Sequence, residues 1–309
     1  MTRVAVLHGG ISAEREVSLS SGAQVIAALR GRGFDVQPIE VGRDLAAVLA
    51  ALSPPHGPRP DAVFNALHGR FGEDGVIQGV LDWLAIPYTH SPARASALAM
   101  DKAASRLVFE QAGLPVARGR VVSPQVLAEA DPMPLPYVVK PVAEGSSVGV
   151  HILREGDNRR EALAREWSFG DEMLVEEYVP GRELTVGVLD DRALAVTDIT
   201  ARAGFYDYES KYGANGSRHV IPAVVHPDVA ASAMRMAVQA HRALGCRGAT
   251  RADFRYDDTQ GEPGRLVLLE VNTQPGMTPV SLLPEQAAWC GLDFSALCAW
   301  MVEHASCRG

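Results

Sequence analysis

The sequence predicts an α/β protein that opens on a parallel sheet and turns to strand-rich structure after Pro92. Three observations carry this. Short apolar strands alternate with helical patterns up to Thr89, as in a parallel sheet covered on both faces. Two polar glycine turns, "HGGISAERE" and "HGRFGEDG", follow the first and third strands, at the edge where such sheets bind ligands. Beyond Pro92, strands outnumber helices and end in a hairpin rich in acidic residues.

The elements follow in order. Val4–Leu7 reads as a strand, Val17–Arg30 as a helix, Val36–Val41 as a strand and Leu45–Leu52 as a short helix. Ala62–Leu67 is a strand, Val76–Leu84 a helix and Ile86–Thr89 a last short strand. Neither glycine turn has the G-x-G-x-x-G spacing, and no acidic residue sits at a ribose position, which argues against a dinucleotide site. Ala95–Ala112 reads as one helix. Strands follow at Arg118–Val122, Tyr137–Lys140, Val148–Leu153, Met173–Tyr178 and Leu184–Leu189, with "DPMPLP" as a proline-rich connector and "VPG" as a turn. A long strand starts at Arg192, a glycine-containing loop spans Gly204 to Gly216, and Pro227–Leu244 is a helix. A strand pair and C-terminal helices complete the chain.

Composition bounds the function. The 309 residues are 47% hydrophobic and 21% charged, enough for two or three globular domains. A net charge of −8 argues against a nucleic-acid coat or an anionic membrane as partner. Cys246, Cys290, Cys298 and Cys307 lack metal spacing and are expected to be reduced, mostly buried thiols. Met1 to Leu7 runs straight into a strand without a signal peptide, and no apolar run approaches about 20 residues, so a cytoplasmic protein is expected.

Chemistry is concentrated in a few stretches. In "HGGISAEREVSLSSG", a helix starting near Ser12 would aim free N–H groups at an anion, while Glu14 would attract an ammonium. In "RADFRYDDTQGEPGRLVLLEVN", a hairpin centred between Gly261 and Glu262 pairs Asp253 with Glu270 and Arg251 with Asn272 on one face. A bulge would spoil that register. Two carboxylates and an amide oxygen form a hard-oxygen set suited to Mg²⁺ shared with phosphates. The alternative is a solvated hairpin with cross-strand ion pairs, but Glu270 and Asn272 end an apolar run where a surface strand would alternate. "YVVKPVAEGSSVGVHIL" joins two strands through a glycine-serine loop in which Lys140 would hold a phosphate with the Ser146–Ser147 backbone over it, although read by itself a common Gly-Ser hairpin is the simpler reading.

Eight stretches together resemble the D-alanine–D-alanine ligase family of the ATP-grasp superfamily. They are "HGGISAEREVSLSSG", "ALHGRFGEDG", "SALAMDKAASR", "VVKPVAEGSSVG", "VEEYVPGRELTV", "FYDYESKY", "GCRGATRADF" and "LLEVNTQPGMTPVSLLP", in the family's order over nearly the whole chain. The resemblance implies a three-domain ATP-grasp fold, with a Rossmann-like parallel-sheet domain over residues 1–93 and two α+β domains over 94–180 and 181–309 gripping ATP. It implies ATP-dependent ligation of two D-alanines through an acyl phosphate, for peptidoglycan precursors, by a homodimer. Lys102, Lys140 and the lid residue Lys211 would contact ATP phosphates. Glu176, the main chain of Glu177 and Val179, and Glu183 would hold adenine and ribose. Asp253, Glu270 and Asn272 would bind two Mg²⁺ or Mn²⁺ ions.

For the substrates, Glu14 would bind the ammonium of the first D-alanine in a hydrogen-bonded set with Ser146 and Tyr212. Arg251 and the Gly276 N–H would stabilise the oxyanion. Ser281, with Leu282 at the following helix start, would take the carboxylate of the second D-alanine. His68 would lie near that second substrate, or else cap a turn. The loop from Ala203 to Arg218, with Tyr206, Tyr208 and Tyr212, would be the lid. Tyr212 would select dipeptide over ester, or only pack the lid. Gln274, where the family more often has Ser, and Ala249 with Thr250 depart from the pattern without replacing a predicted ligand, and His8 is taken as structural. Two rivals are an ATP-grasp ligase for other amino or hydroxy acids and an amino-acid-binding module with a degenerate nucleotide site. Intact Lys140, Asp253, Glu270 and Asn272 count against the second.

Overall fold

The computed structural model describes residues 1–201 and 217–307; the expected lid, including Lys211 and Tyr212, lies outside them. The chain begins with β1 (Arg3–Gly9), α1 (Arg15–Gly31), β2 (Asp35–Val41), α2 (Leu45–Leu52), β3 (Ala62–Asn65) and α3 (Val76–Trp83). Its three strands form a parallel sheet in the order β2-β1-β3. Val4 to Leu7 of β1 are all fully buried, because the sheet is covered on both sides. Val4 and Val6 join Val25 and Leu29 of α1, while Ala5 and Leu7 meet Leu52, Ile77 and Leu81 from α2 and α3. His8 is structural as expected: Gly22 of α1 packs so closely that a Cβ there would come 2.4 Å from the His8 Cβ. The expected strand at Ile86–Thr89 is only a bridge, with Tyr88 paired to Val63 and to Ser306.

The expected single helix over 95–112 is two, α4 (Ala93–Met100) and α5 (Lys102–Gln111). Asp101 breaks it: its backbone is extended, and its carboxylate accepts the Ala104 N–H at 2.9 Å, capping α5. Next come β4 (Gly119–Val122), α6 (Pro124–Glu129), β5 (Tyr137–Pro141), β6 (His151–Leu153), α7 (Arg160–Glu166) and β7 (Met173–Glu177). These strands form an antiparallel sheet in the order β4-β7-β5-β6. Tyr137, Val139 and Val175 share its core with Leu127 of α6 and Ala164 of α7. β6 is shorter than the expected Val148–Leu153, because Ser146, Ser147 and Gly149 are all in left-handed backbone conformations.

The third sheet contains β8 (Arg182–Leu189), β9 (Arg192–Ala201), β10 (Ser217–Val220), β11 (Ala249–Asp257) and β12 (Arg265–Asn272), antiparallel in the order β10-β9-β8-β11-β12. The helix α8 (Pro227–Leu244) packs on it through Val229, Ala233, Ala237, Ala240 and Leu244, one stripe of an amphipathic helix. Ala99 of α4 and Phe109 of α5 enter that same core. Two helices end the chain, α9 (Leu282–Trp289) and α10 (Phe294–Glu303), and Leu297, Met301 and Val302 of α10 close the core under β1. None of the four cysteines is disulfide-bonded, but only Cys298 is fully buried and Cys290 is exposed, correcting the mostly buried expectation.

The β11–β12 hairpin pairs Asp253 with Glu270 and Arg251 with Asn272, as expected, by a different route. Near the turn Asp257 faces Arg265 and Phe254 faces Leu268, one residue out of the expected register. A β-bulge at Leu269 then restores it. Below the bulge Leu266 and Leu268 face the α8 core; above it Val271 does. Glu270 and Asn272 are thereby turned to the opposite face.

Candidate active site

Three loops converge where the sheets meet. The loop after β1 brings Glu14, which precedes α1 but makes no side-chain cap on it. The helix starts at Arg15 and not near Ser12, whose hydroxyl instead donates to the His68 carbonyl at 2.7 Å and accepts the Glu14 N–H. The loop after β3 brings Gly69, whose φ of +68° suits glycine; a Cβ there would lie 2.8 Å from Glu14 Oε2. The β5–β6 loop brings Ser146, which donates to Glu14 Oε1 at 2.5 Å. Gly145 in that loop comes close to both Glu73 and Glu14.

These loops wall a cavity of about 520 Å³. Of the predicted residues, Glu14, His68, Lys102, Ser146, Arg251, Glu270, Asn272, Gly276, Ser281 and Leu282 all line it. Lys102, at the start of α5, reaches Glu270 Oε2 at 3.4 Å and donates to the Glu144 carbonyl at 2.6 Å. Asp253 receives a forked pair from Arg251, Nε to Oδ1 at 2.8 Å and Nη2 to Oδ2 at 2.7 Å, and a hydrogen bond from Thr185 at 2.6 Å. The Ser281 hydroxyl accepts the Thr278 N–H at 3.2 Å at the start of α9. The set of Asp253, Glu270 and Asn272 fits a hard divalent cation, and with only two carboxylates it needs phosphate oxygens to complete the shell.

Asp253, Lys140, Glu176, Glu177, Val179 and Glu183 are not among the residues lining this cavity. Lys140 and Arg106 both pair with the Glu176 carboxylate, and the Glu177 side chain is held by Arg118 and Arg265, which pull its carboxyl down to about 2 against the cost of burial. Val179 packs on Ala117 and Val267, a buried apolar spot between the second and third sheets. Glu183 lies 4.0 Å from Arg255.

His68 is buried with its Nε2 3.4 Å from the Ser21 hydroxyl, and burial lowers its pKa to about 4 while a hydrogen bond to the Gln274 main chain opposes the shift. It is neutral at pH 7. Sequence reasoning missed Glu73, although it lies within the quoted "HGRFGEDG" turn. Burial and then the neighbouring Glu14 push its carboxyl well above the usual carboxylate range. It also missed Thr185 behind Asp253, since a threonine inside a strand carries no signal of its own, and the His219–Glu285 contact of 2.6 Å at the cavity wall.

The family described as D-ala D-ala ligase C-terminus matches residues 108–303, and its N-terminal counterpart matches residues 50–91. The D-alanine–D-alanine ligase of Granulibacter bethesdensis is 70% identical over 99% of this chain and 98% of its own. The chain belongs to the D-alanine–D-alanine ligase family. The relative from Acidiphilium cryptum is likewise 70% identical, over 100% of both chains. A crystal structure of the Bacillus anthracis D-alanine–D-alanine ligase complexed with ATP superposes with a TM-score of 0.81 at 26% identity, covering 98% of this chain and 97% of that one. The three-sheet α/β architecture is therefore the ATP-grasp fold of that family.

Proposed function

We propose that the chain joins two D-alanine molecules to D-alanyl-D-alanine with ATP as phosphoryl donor. The observation that carries this is the cavity lined together by an ammonium-binding carboxylate (Glu14), two members of the metal-type oxygen set (Glu270 and Asn272, with Asp253 paired to Glu270 across the hairpin) and an oxyanion-type pair (Arg251 and the Gly276 N–H). Glu14, held by Ser146 and backed by Gly69, receives the ammonium of the first D-alanine and leaves its carboxylate towards the phosphates. Lys102 and Lys140 hold the phosphate oxygens in line with that carboxylate. Glu176, Glu183 and the main chain at Glu177 and Val179 take the adenosine end. Asp253, Glu270 and Asn272 would hold Mg²⁺ or Mn²⁺, which when bound supplies neutralisation of phosphate charge.

The acyl phosphate formed on the first D-alanine is attacked by the amine of the second, and phosphate leaves. Arg251 and the Gly276 N–H neutralise the tetrahedral oxyanion, a contact type worth about 3–4 kcal/mol each. Ser281 and the free N–H groups at the start of α9 take the second carboxylate, with neutral His68 beside it. The same reading divides the chain at 93/94 and 180/181, makes it a cytoplasmic homodimer and gives Lys211 and Tyr212 to the lid. Incubating the protein with ATP, Mg²⁺ and D-alanine tests it: ADP, phosphate and a product of dipeptide mass are expected. Phosphate release without dipeptide, or with another amino acid preferred, would replace this reading with a different ATP-grasp ligase.

A further inference from the structure

The carboxamide of Gln274 crosses from the third sheet to the first. Its Nε2 donates to the main-chain carbonyl of Asn65, and its Oε1 accepts from Asn65 Nδ2 at 3.3 Å. Asn65 is itself fixed, donating to the Gly72 carbonyl at 2.9 Å and accepting the Leu67 N–H at 3.1 Å. The Gln274 main chain is used as well. Its N–H donates to Asn272 Oδ1 at 2.8 Å, and it bonds to the His68 ring. Both amides are essentially inaccessible, 1% exposed for Gln274 and 0% for Asn65. A buried two-point amide pair has one orientation and leaves unpaired groups if broken. A serine side chain at position 274 is two atoms shorter and could not span this distance.

We propose that Gln274 is a positioning residue that sets the acceptor half of the site against the donor half. It stands two residues after Asn272 and two before Gly276, and it ties that segment to the end of β3, from which His68 and Gly69 follow. Gly69 in turn backs Glu14. The pair therefore controls the gap between the acyl group of the first D-alanine and the amine of the second, a consequence that rests on the dipeptide-forming reading. Phosphoryl transfer depends on Lys102, Lys140, Asp253, Glu270 and Asn272; the Gln274 side chain hydrogen-bonds to none of them, and the main-chain N–H that reaches Asn272 is kept in any substitution at 274.

Loosening the pair slows amine attack and leaves the acyl phosphate to water. The water oxygen bonds to the acyl carbon, the bond from that carbon to the phosphate oxygen breaks, and phosphate and D-alanine are released with a proton to solvent. A misplacement of about 1 Å at such a step costs up to roughly 100-fold.

The test measures phosphate and dipeptide together in wild type and Gln274→Met, which keeps length and volume without polar atoms. Wild type should release about one phosphate per dipeptide. The variant should release at least about threefold more, with the KM for the second D-alanine raised about tenfold and the KM for ATP within about twofold. Gln274→Ser, read the same way, carries the test if the first variant does not fold. An unchanged ratio in a folded variant, or a joint rise in all KM values with the ratio still near one, means that Gln274 only supports the fold and overturns the inference. A wild-type chain that makes no dipeptide removes the functional reading and this inference with it.

Discussion

Glu14 turns its carboxylate away from the helix it precedes and onto Ser146 and the face of Gly69, so its contacts serve the cavity. Glu14→Gln should therefore weaken the first D-alanine far more than ATP, because an amide cannot balance a desolvated ammonium. The expected loss is roughly 2–3 kcal/mol, typical of a charged hydrogen-bond partner. Steady-state kinetics decide it: a higher KM for ATP with an unchanged one for D-alanine would remove Glu14 from the substrate site. Gly69→Ala should act on the same substrate from behind, since its Cβ would press on the carboxylate and its backbone would be strained by about 1–2 kcal/mol. Glu270→Gln should abolish turnover while leaving the melting temperature nearly unchanged, because Glu270 is half-buried in the cleft and outside every core cluster. Near-normal activity in saturating Mg²⁺ would contradict its place in the metal set.

At the scale of elements, two irregularities decide where the chemistry sits. The Asp101 break ends α4 and starts α5, which puts Lys102 at a helix N-terminus facing the cavity. Asp101→Ala should cost about 1 kcal/mol of stability through the lost cap and raise the KM for ATP, read by urea melts and kinetics. The bulge at Leu269 is the second. Inserting one residue between Asp253 and Phe254 should give Leu269 a partner and remove the bulge, turning Glu270 and Asn272 into the α8 core. Nucleotide-independent Mg²⁺ or Mn²⁺ binding, followed by Mn²⁺ paramagnetic resonance, should disappear with it. The hairpin was legible from its turn, but its register there is one residue out and the expected pairs form only through the bulge, which an extra residue in an apolar run "LVLLEV" does not mark locally. The helix break was equally hidden, since Asp101 fits the helical period and only its cap geometry separates the two segments.

Across the whole molecule, buried histidines link stability to pH. Burial lowers the His241 pKa to about 4, and its Nδ1 contacts Thr250 at 2.7 Å; burial, then the neighbouring His68, lowers that of His90 to about 3. The unfolded chain protonates both near pH 6.5, so it binds more protons than the native state below that point. Their stabilisation is complete above about pH 6.5 and is lost as pH falls towards 4, by roughly 1.4 kcal/mol per unit for each histidine. Urea melts at pH 7.5 and 5 should differ accordingly, and His241→Gln should flatten the difference by about 2 kcal/mol. An unaltered slope in that variant would show that other groups carry the acid sensitivity.

The sequence by itself determined the family, the parallel sheet at the start, the succession of nearly every strand along the chain and ten of the residues that line the cavity, because these depend on local apolar periodicity and contiguous motifs. Tertiary structure alone decided which cores those elements share. α10 closes the first sheet from the far end of the chain, and α4 and α5 pack with the third, since burial follows contact in space and not order along the backbone. It also decided the fate of isolated polar residues. The Glu73 carboxyl is pushed upward only because the cleft walls and Glu14 surround it, and Gln274, a lone departure from the family pattern, becomes a bridge only when Asn65 stands opposite.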